Sequence, residues 1–382
     1  MAPMGAPGTG MSRREFVKAS AAGGLTATLA GCMTGYEGSA GSTGSETTSP
    51  SAMTQSLPTT SAPQVVDLDE QDGKVTLSPQ PAVHNAHPGE SMGGPVQLPK
   101  VWAFQADDRD PSVPGPILRA TEGQTLEIEL NNTGQMPHTV HFHGVQTEWK
   151  HDGVPTTTGI TVAPGESHTY EIPANTPGTH LYHCHYQTHR HIDMGMYGIL
   201  RVDPEGYEPA DREYFMTLKE WDSDLNGMFA GADVEYSPRQ RNPDTFTVNG
   251  KAAPRTLHPE DGSPIIVEQG DTVRLHLVNG GYMNHPMHTH NHRFRLVEKD
   301  GAPVPEAAQY PQDVVDVAPA ERKTVEFEAD ADPGIYLAHC HKVNHAMNGE
   351  FYPGGMVTGV VYKEAMDSKV FQQLMEYAGY RG

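Results

Sequence analysis

Four short strings carry most of the chemistry in this sequence: His138-Thr-Val-His141-Phe-His143, His183-Cys184-His185, His285-Pro-Met-His288-Thr-His290 and His339-Cys340-His341. Residues two apart on a strand share a face. Each string therefore presents a pair of imidazoles on one side, and each triplet turns its Cys to the other. A lone strand histidine is most often a hydrogen-bonded core residue, but four same-face pairs have no such explanation. Eight imidazoles without a carboxylate are too many for one zinc ion and too soft for calcium or magnesium. They suit a copper cluster in which oxygen binds between metals.

A thiolate with two imidazoles and a weak thioether is another recipe, that of a blue copper centre passing single electrons. His138, Cys184, a His at 189 or 191 and a Met at 194 or 196 supply it. Anchoring on Met194-Gly-Met196-Tyr-Gly favours His191 with Met196; the shorter spacing selects His189 with Met194. His285, Cys340 and His345 make most of a second such set. Position 350, where a closely spaced thioether would fall, is Glu, and Met356 lies across a longer loop. That second set is either another copper centre or a vestige whose Cys is simply buried.

The elements that must hold these groups are written twice. Pro116-Ile-Leu-Arg-Ala-Thr-Glu-Gly123 is echoed by Pro264-Ile-Ile-Val-Glu-Gln-Gly270, and the first His string recurs 147 positions later. Ala163-Pro-Gly-Glu166 returns as Ala318-Pro-Ala-Glu321, and the His-Cys-His triplet recurs after 156 positions. Leu126, Ile128 and Leu130 alternate with polar residues, as do Val273, Leu275 and Leu277, and Val325 and Phe327. That period belongs to half-buried strands. With 40 Gly and 32 Pro as punctuation, the sequence predicts two Greek-key β-sandwiches. Domain 1 is expected over 65–205 and domain 2 over 206–382, the latter ending in a helix within 364–377.

These motifs resemble the multicopper oxidases, in particular their two-domain, laccase-like branch, from about Val65 to Tyr362. The resemblance implies an all-β fold of two cupredoxin-like domains, with a type 1 copper accepting electrons and a type 2/type 3 cluster reducing dioxygen to water. It implies that His141 and His288 hold type 2 copper, and that His143, His183, His185, His290, His339 and His341 hold the type 3 pair. Asp152, in the stretch after His141-Phe-His143-Gly, would relay protons; the plainer reading is a turn residue before Gly153. The family also implies a homotrimer, in which domain 1 of one chain faces domain 2 of the next. Substrates would be a phenolic or other aromatic donor, or a metal ion, together with dioxygen. The alternatives are a copper nitrite reductase, which needs only three His at its catalytic copper, and a copper carrier without turnover.

The 382 residues carry 26 Lys+Arg against 48 Asp+Glu, a net charge of −22, which excludes a nucleic-acid partner. Three Cys cannot staple a chain of this length. Arg13-Arg14 followed by an apolar run to Ala30 reads as a twin-arginine export signal over 1–31. Leu29-Ala-Gly-Cys32 looks like a lipobox, so membrane attachment is expected only through a lipid on Cys32; simple cleavage is the alternative. Residues 32–64, rich in Ser, Thr, Gly and Pro, are expected to form a disordered tether. The expected destination is the periplasm or cell surface.

Overall fold

The structure, a computed structural model, describes residues 57–87, 89 and 95–378. The export signal, the lipobox and most of the tether lie outside the described residues. Leu57–Gln64, also expected in the tether, is instead seated on the fold: Thr60 N–H donates to Val83 O, Ser61 N–H to Pro111 O, and Gln64 O accepts from Ile117 N–H. Among the described residues no helix is long and apolar enough to cross a membrane.

Domain 1 contains β1 (Val65–Asp67), β2 (Lys74–His87), β3 (Val96–Ala106), β4 (Ile117–Thr121), β5 (Thr125–Asn131), β6 (His141–Phe142), β7 (Ser167–Pro173), β8 (Gly178–His183) and β9 (Tyr197–Asp203). A sheet ordered β1-β4-β9-β8-β6 packs against one ordered β3-β2-β5-β7. The chain crosses to domain 2 between Asp203 and Arg212. There β10 (Arg212–Trp221), β11 (Thr245–Val248), β13 (Thr272–Asn279), β15 (Arg295–Lys299), β16 (Ala302–Pro303) and β18 (Arg322–Glu328) form one sheet. The other contains β12 (Ile265–Val267), β14 (His285–Thr289), β17 (Val314–Val317), β19 (Ile335–Cys340) and β20 (Val357–Tyr362).

The alternating residues do what their period demands. Leu126, Ile128 and Leu130 are buried in the first core, and Val273, Leu275, Leu277, Val325 and Phe327 in the second. Each such side chain contributes about 1.5–3 kcal/mol of burial. The turns before β5 and β13 need a left-handed residue, and Gly123 (φ 102°) and Gly270 (φ 92°) provide it in both copies. Trp221 and Val278 of domain 2 share a buried cluster with Leu181, Tyr197 and Ile199 of domain 1, which locks the two sandwiches together. The expected C-terminal helix runs over Lys369–Tyr377 and buries Phe371 and Met375.

Candidate metal centres

Strand pairing decides which histidines meet. On adjacent antiparallel strands His141 lies opposite His183, and His288 lies opposite His339. Cys184 and Cys340 point the other way, into the two cores, both 0% exposed.

Behind the first pair, His138 Nδ1 and His191 Nδ1 lie 3.2 Å apart, and 3.6 and 3.1 Å from Cys184 Sγ. Behind the second, His285 Nδ1 and His345 Nδ1 lie 3.2 Å apart, and 3.9 and 3.5 Å from Cys340 Sγ. His191, not His189, joins the first group. His189 is exposed, and its carbonyl accepts from Arg241 at 2.9 Å. Burial holds His138 down to about 4 and His345 to about 4. His191 falls to about 3 through burial and the neighbouring His138. Burial also pushes the Cys184 thiol up to about 12 and Cys340 to about 11. His138, His191 and His345 are therefore neutral ligands at physiological pH, and each thiol keeps its proton until a cation replaces it. This donor set fits copper: one soft sulphur, two imidazole lone pairs and a core too dry for water ligands.

The fourth position follows from backbone pairing. Met196 N–H donates to His191 O (3.0 Å) and its carbonyl accepts from Cys184 N–H (3.1 Å). Met356 repeats both bonds in domain 2, donating to His345 O (2.8 Å) and accepting from Cys340 N–H (3.1 Å). Met196 and Met356 are thus structural equivalents, each buried in the same core as its Cys. Met194 is buried too, but its sulphur receives the Asn226 amide at 3.7 Å. Glu350 is exposed, away from the pocket.

On the opposite face the imidazoles form two quartets. His141 and His143 have ring centres 4.9 Å apart and lie 5.6 and 5.0 Å from His183; His185 lies 5.5 Å from His141. In domain 2, His288 and His290 are 4.9 Å apart, 5.6 and 5.3 Å from His339, and His341 is 5.6 Å from His288. His141 Nδ1 donates to Asp152 O and His288 Nδ1 to Asp313 O, both at 2.7 Å. His183 and His339 donate to the carbonyls of Cys184 (2.9 Å) and Cys340 (3.0 Å). A carbonyl only accepts, so these Nδ1 atoms carry the hydrogen and their Nε2 lone pairs are left for a metal. His143 Nε2 and His183 Nε2 meet at 2.9 Å, and His290 Nε2 and His339 Nε2 at 3.1 Å, so a proton or a cation must lie between each pair. Asp152 enters as a backbone anchor for His141, with its carboxylate 3.4 Å from the same nitrogen. Asp313, its counterpart, carried no motif that sequence reading could have used.

A cavity of about 440 Å³ opens beside His138, walled by Trp102, Phe229, Met136 and Pro81 with Lys100 at its side. Trp102 stands edge-on to both His191 and Phe229, each at 4.8 Å. Phe229 comes from the helix Ser223–Ala230 of domain 2, so no local pattern in the sequence announces this cavity.

Paired sandwiches, each with a Cys/His₂ pocket behind a histidine quartet, define a cupredoxin-type copper protein. Two sequence models of the multicopper oxidase family match residues 108–206 and 234–353. The chain resembles the crystal structure of a blue copper oxidase from Nitrosomonas europaea at 30% identity and a TM-score of 0.66, covering 78% of this chain and 89% of that one. It is 30% identical over 244 residues to Laccase-25 of Oryza sativa subsp. japonica, covering 59% of this chain and 40% of that protein. It is 27% identical over 301 residues to a probable nitrite reductase-hydroxylamine oxidoreductase fusion protein of Kuenenia stuttgartiensis, covering 75% of this chain and 31% of that protein. The chain thus spans less than half the length of these two curated relatives. It belongs to the multicopper oxidase family, whose members are copper-binding oxidoreductases.

Proposed function

We propose that this protein is an oxidase that takes single electrons from a reducing substrate beside His138 and delivers them to dioxygen at the histidine quartets. Copper bound at these residues supplies one-electron transfer and the reduction of dioxygen by four electrons and four protons to two waters. His138, Cys184, His191 and Met196 would hold a type 1 copper, and His285, Cys340, His345 and Met356 a second. His141 and His288 would hold type 2 copper; His143, His183, His185, His290, His339 and His341 would hold the type 3 pair. Cys184 is covalently continuous with His183 and His185, and its carbonyl accepts His183 Nδ1–H, so two short bonded paths join pocket to quartet. Asp152, beside His141, is the group proposed to hold a proton there.

The observation that carries this reading is the pairing of a Cys/His₂ pocket with an imidazole quartet on opposite faces of one strand, in both domains. Among the described residues each quartet makes its histidine ring contacts within itself, and His290 and His341 are exposed. A trimer closing domain 1 of one chain on domain 2 of the next would complete the clusters. Export under the Arg13-Arg14 signal and anchoring at Cys32 belong to the same proposal. The aromatic walls of the cavity, which hold no carboxylate, favour a phenolic donor over a hard metal ion such as Mn(II). The test is copper content, assembly size and oxygen uptake across phenols, Cu(I), Fe(II) and Mn(II), with nitrite as a separate arm. About five copper ions per chain and oxygen uptake by a trimer are expected. A fully loaded, active monomer overturns the trimer, and about two copper ions with nitrite turnover overturns the oxidase.

A further inference from the structure

The duplication lets the two Cys/His₂ pockets be compared position by position. On β2, Leu77 pairs with Leu130; on β10, Met216 pairs with Leu277. Leu130 and Leu277 are repeat equivalents, so Pro81 in domain 1 stands where Glu220 stands in domain 2. The facing loops agree: Thr133 Oγ1 donates to Pro79 O, and its counterpart Gly280 N–H donates to Leu218 O. In domain 1 this place is open, since Pro81, Gly134, Met136 and His138 all line the cavity. In domain 2 it is filled by a carboxylate. Glu220 and His285 are both 0% exposed, with Glu220 Oε2 2.8 Å from His285 Nε2. Glu220 Oε1 also accepts from the N–H groups of Tyr282 (2.5 Å) and Met283 (3.1 Å).

Resting on the copper reading above, we propose that Glu220 is a positioning residue that seals the domain 2 copper pocket against the electron donor and sets its copper at a lower reduction potential than that of domain 1. The physical reason is directional. A carboxylate accepting Nε2–H makes the far nitrogen, Nδ1, a stronger donor, which favours the doubly charged metal over the singly charged one. Lys219 and Arg241 both pair with Asp193, so with Glu220 the four side chains sum to no net charge, and the effect acts through the His285 hydrogen bond rather than through net field. Among the described residues no carboxylate bonds to His138; a Cβ added at Gly134, in the cavity wall, would lie 3.4 Å from its Nε2. Two centres built from the same repeat thus differ in duty: one meets the donor, and the other is filled only through the protein. Strand β10 serves both, because Lys219, beside Glu220, reaches Asp193 in the loop between His191 and Met194 at 3.3 Å.

The test uses the full chain loaded with copper, following its visible absorption through a potentiometric titration. Cys184→Ser should leave only a low-potential blue component and Cys340→Ser only a high-potential one. In the Cys184→Ser background, Glu220→Gln should move the reduction equilibrium at least tenfold toward Cu(I), about 59 mV, and Glu220→Asp should recover most of that shift. In the Cys340→Ser background Glu220→Gln should leave the midpoint unchanged. An unshifted low-potential midpoint, or equal shifts in both backgrounds, overturns the inference. Loss of all blue absorption in Cys184→Ser, with Cys340→Ser unaltered, overturns it too while leaving the domain 1 reading intact. Loss in Cys340→Ser alone overturns the domain 1 reading instead.

Discussion

A single alanine placed at equivalent glycines should have very unequal consequences in the two domains. At Gly281 a Cβ would fall 2.1 Å from Glu220 Oε2 and 2.5 Å from both its Cδ and Oε1, so the carboxylate must move. That motion breaks its bonds to Tyr282 N–H, Met283 N–H and His285 at a site where Glu220 and His285 are fully buried. Bonds to a buried charge are worth about 1.5–3 kcal/mol each, and stranding a buried charge costs about 3–5 kcal/mol. Gly281→Ala should therefore destabilise the copper-free protein by about 3–5 kcal/mol. At Gly134 the nearest atoms to the new Cβ are Asn132 Oδ1 at 3.2 Å and His138 Nε2 at 3.4 Å, which small shifts relieve. Restricting the unfolded chain returns about 0.4–1 kcal/mol, so Gly134→Ala should lie within about 1 kcal/mol of the parent. Urea unfolding of both variants, copper-free and reduced, measures the difference. Equal midpoints, or a neutral Gly281→Ala, would refute the view of Glu220 as a packed, bonded plug.

Lys100 lines the cavity and makes no ion pair among the described residues; Lys100→Gln should lower kcat/KM for carboxylate-bearing phenols about two- to fivefold, matching a partly exposed charge pair of about 0.3–1 kcal/mol, and leave neutral phenols unchanged in steady-state assays. His191→Gln should abolish the blue absorption of the domain 1 centre and His189→Gln should preserve it, both read in the Cys340→Ser background. His84 is held down to about 3 by burial and by Lys251, while its Nε2 donates to Gly250 O at 2.6 Å. The unfolded chain binds that proton below about 6.5 and the folded chain does not until about 3, so stability is complete above 6.5 and is lost as pH falls between the two. Each such group adds a slope of about 1.4 kcal/mol per pH unit, and His84→Gln should flatten the urea-midpoint profile in that window by one proton's worth.

Much of the site was legible because strand geometry converts spacing into direction. His141 and His143, or His183 and His185 around Cys184, had to share a face, and duplication made chance an untenable reading. The anchor at Met-Gly-Met pointed to His191, and the structure puts that imidazole at the thiol. Met356 was harder to see. Domain 1 goes from His191, the last residue of a short helix, to Met196 through a tight turn, whereas domain 2 inserts a loop in which Asn348 Oδ1 accepts from Gly355 N–H, returning Met356 to the same register. Spacing alone does not reveal an insertion that closes on itself.

The sequence by itself determined the repeat, the all-β architecture and the eight same-face imidazoles, because all three follow from short-range periodicity and side-chain chemistry. Tertiary structure alone decided that the two pockets differ. Glu220 lies 65 residues before His285, and Phe229 reaches across from the other domain to the cavity beside His138. Neither contact leaves a trace in local spacing, since burial and strand order, not proximity along the chain, bring those groups together.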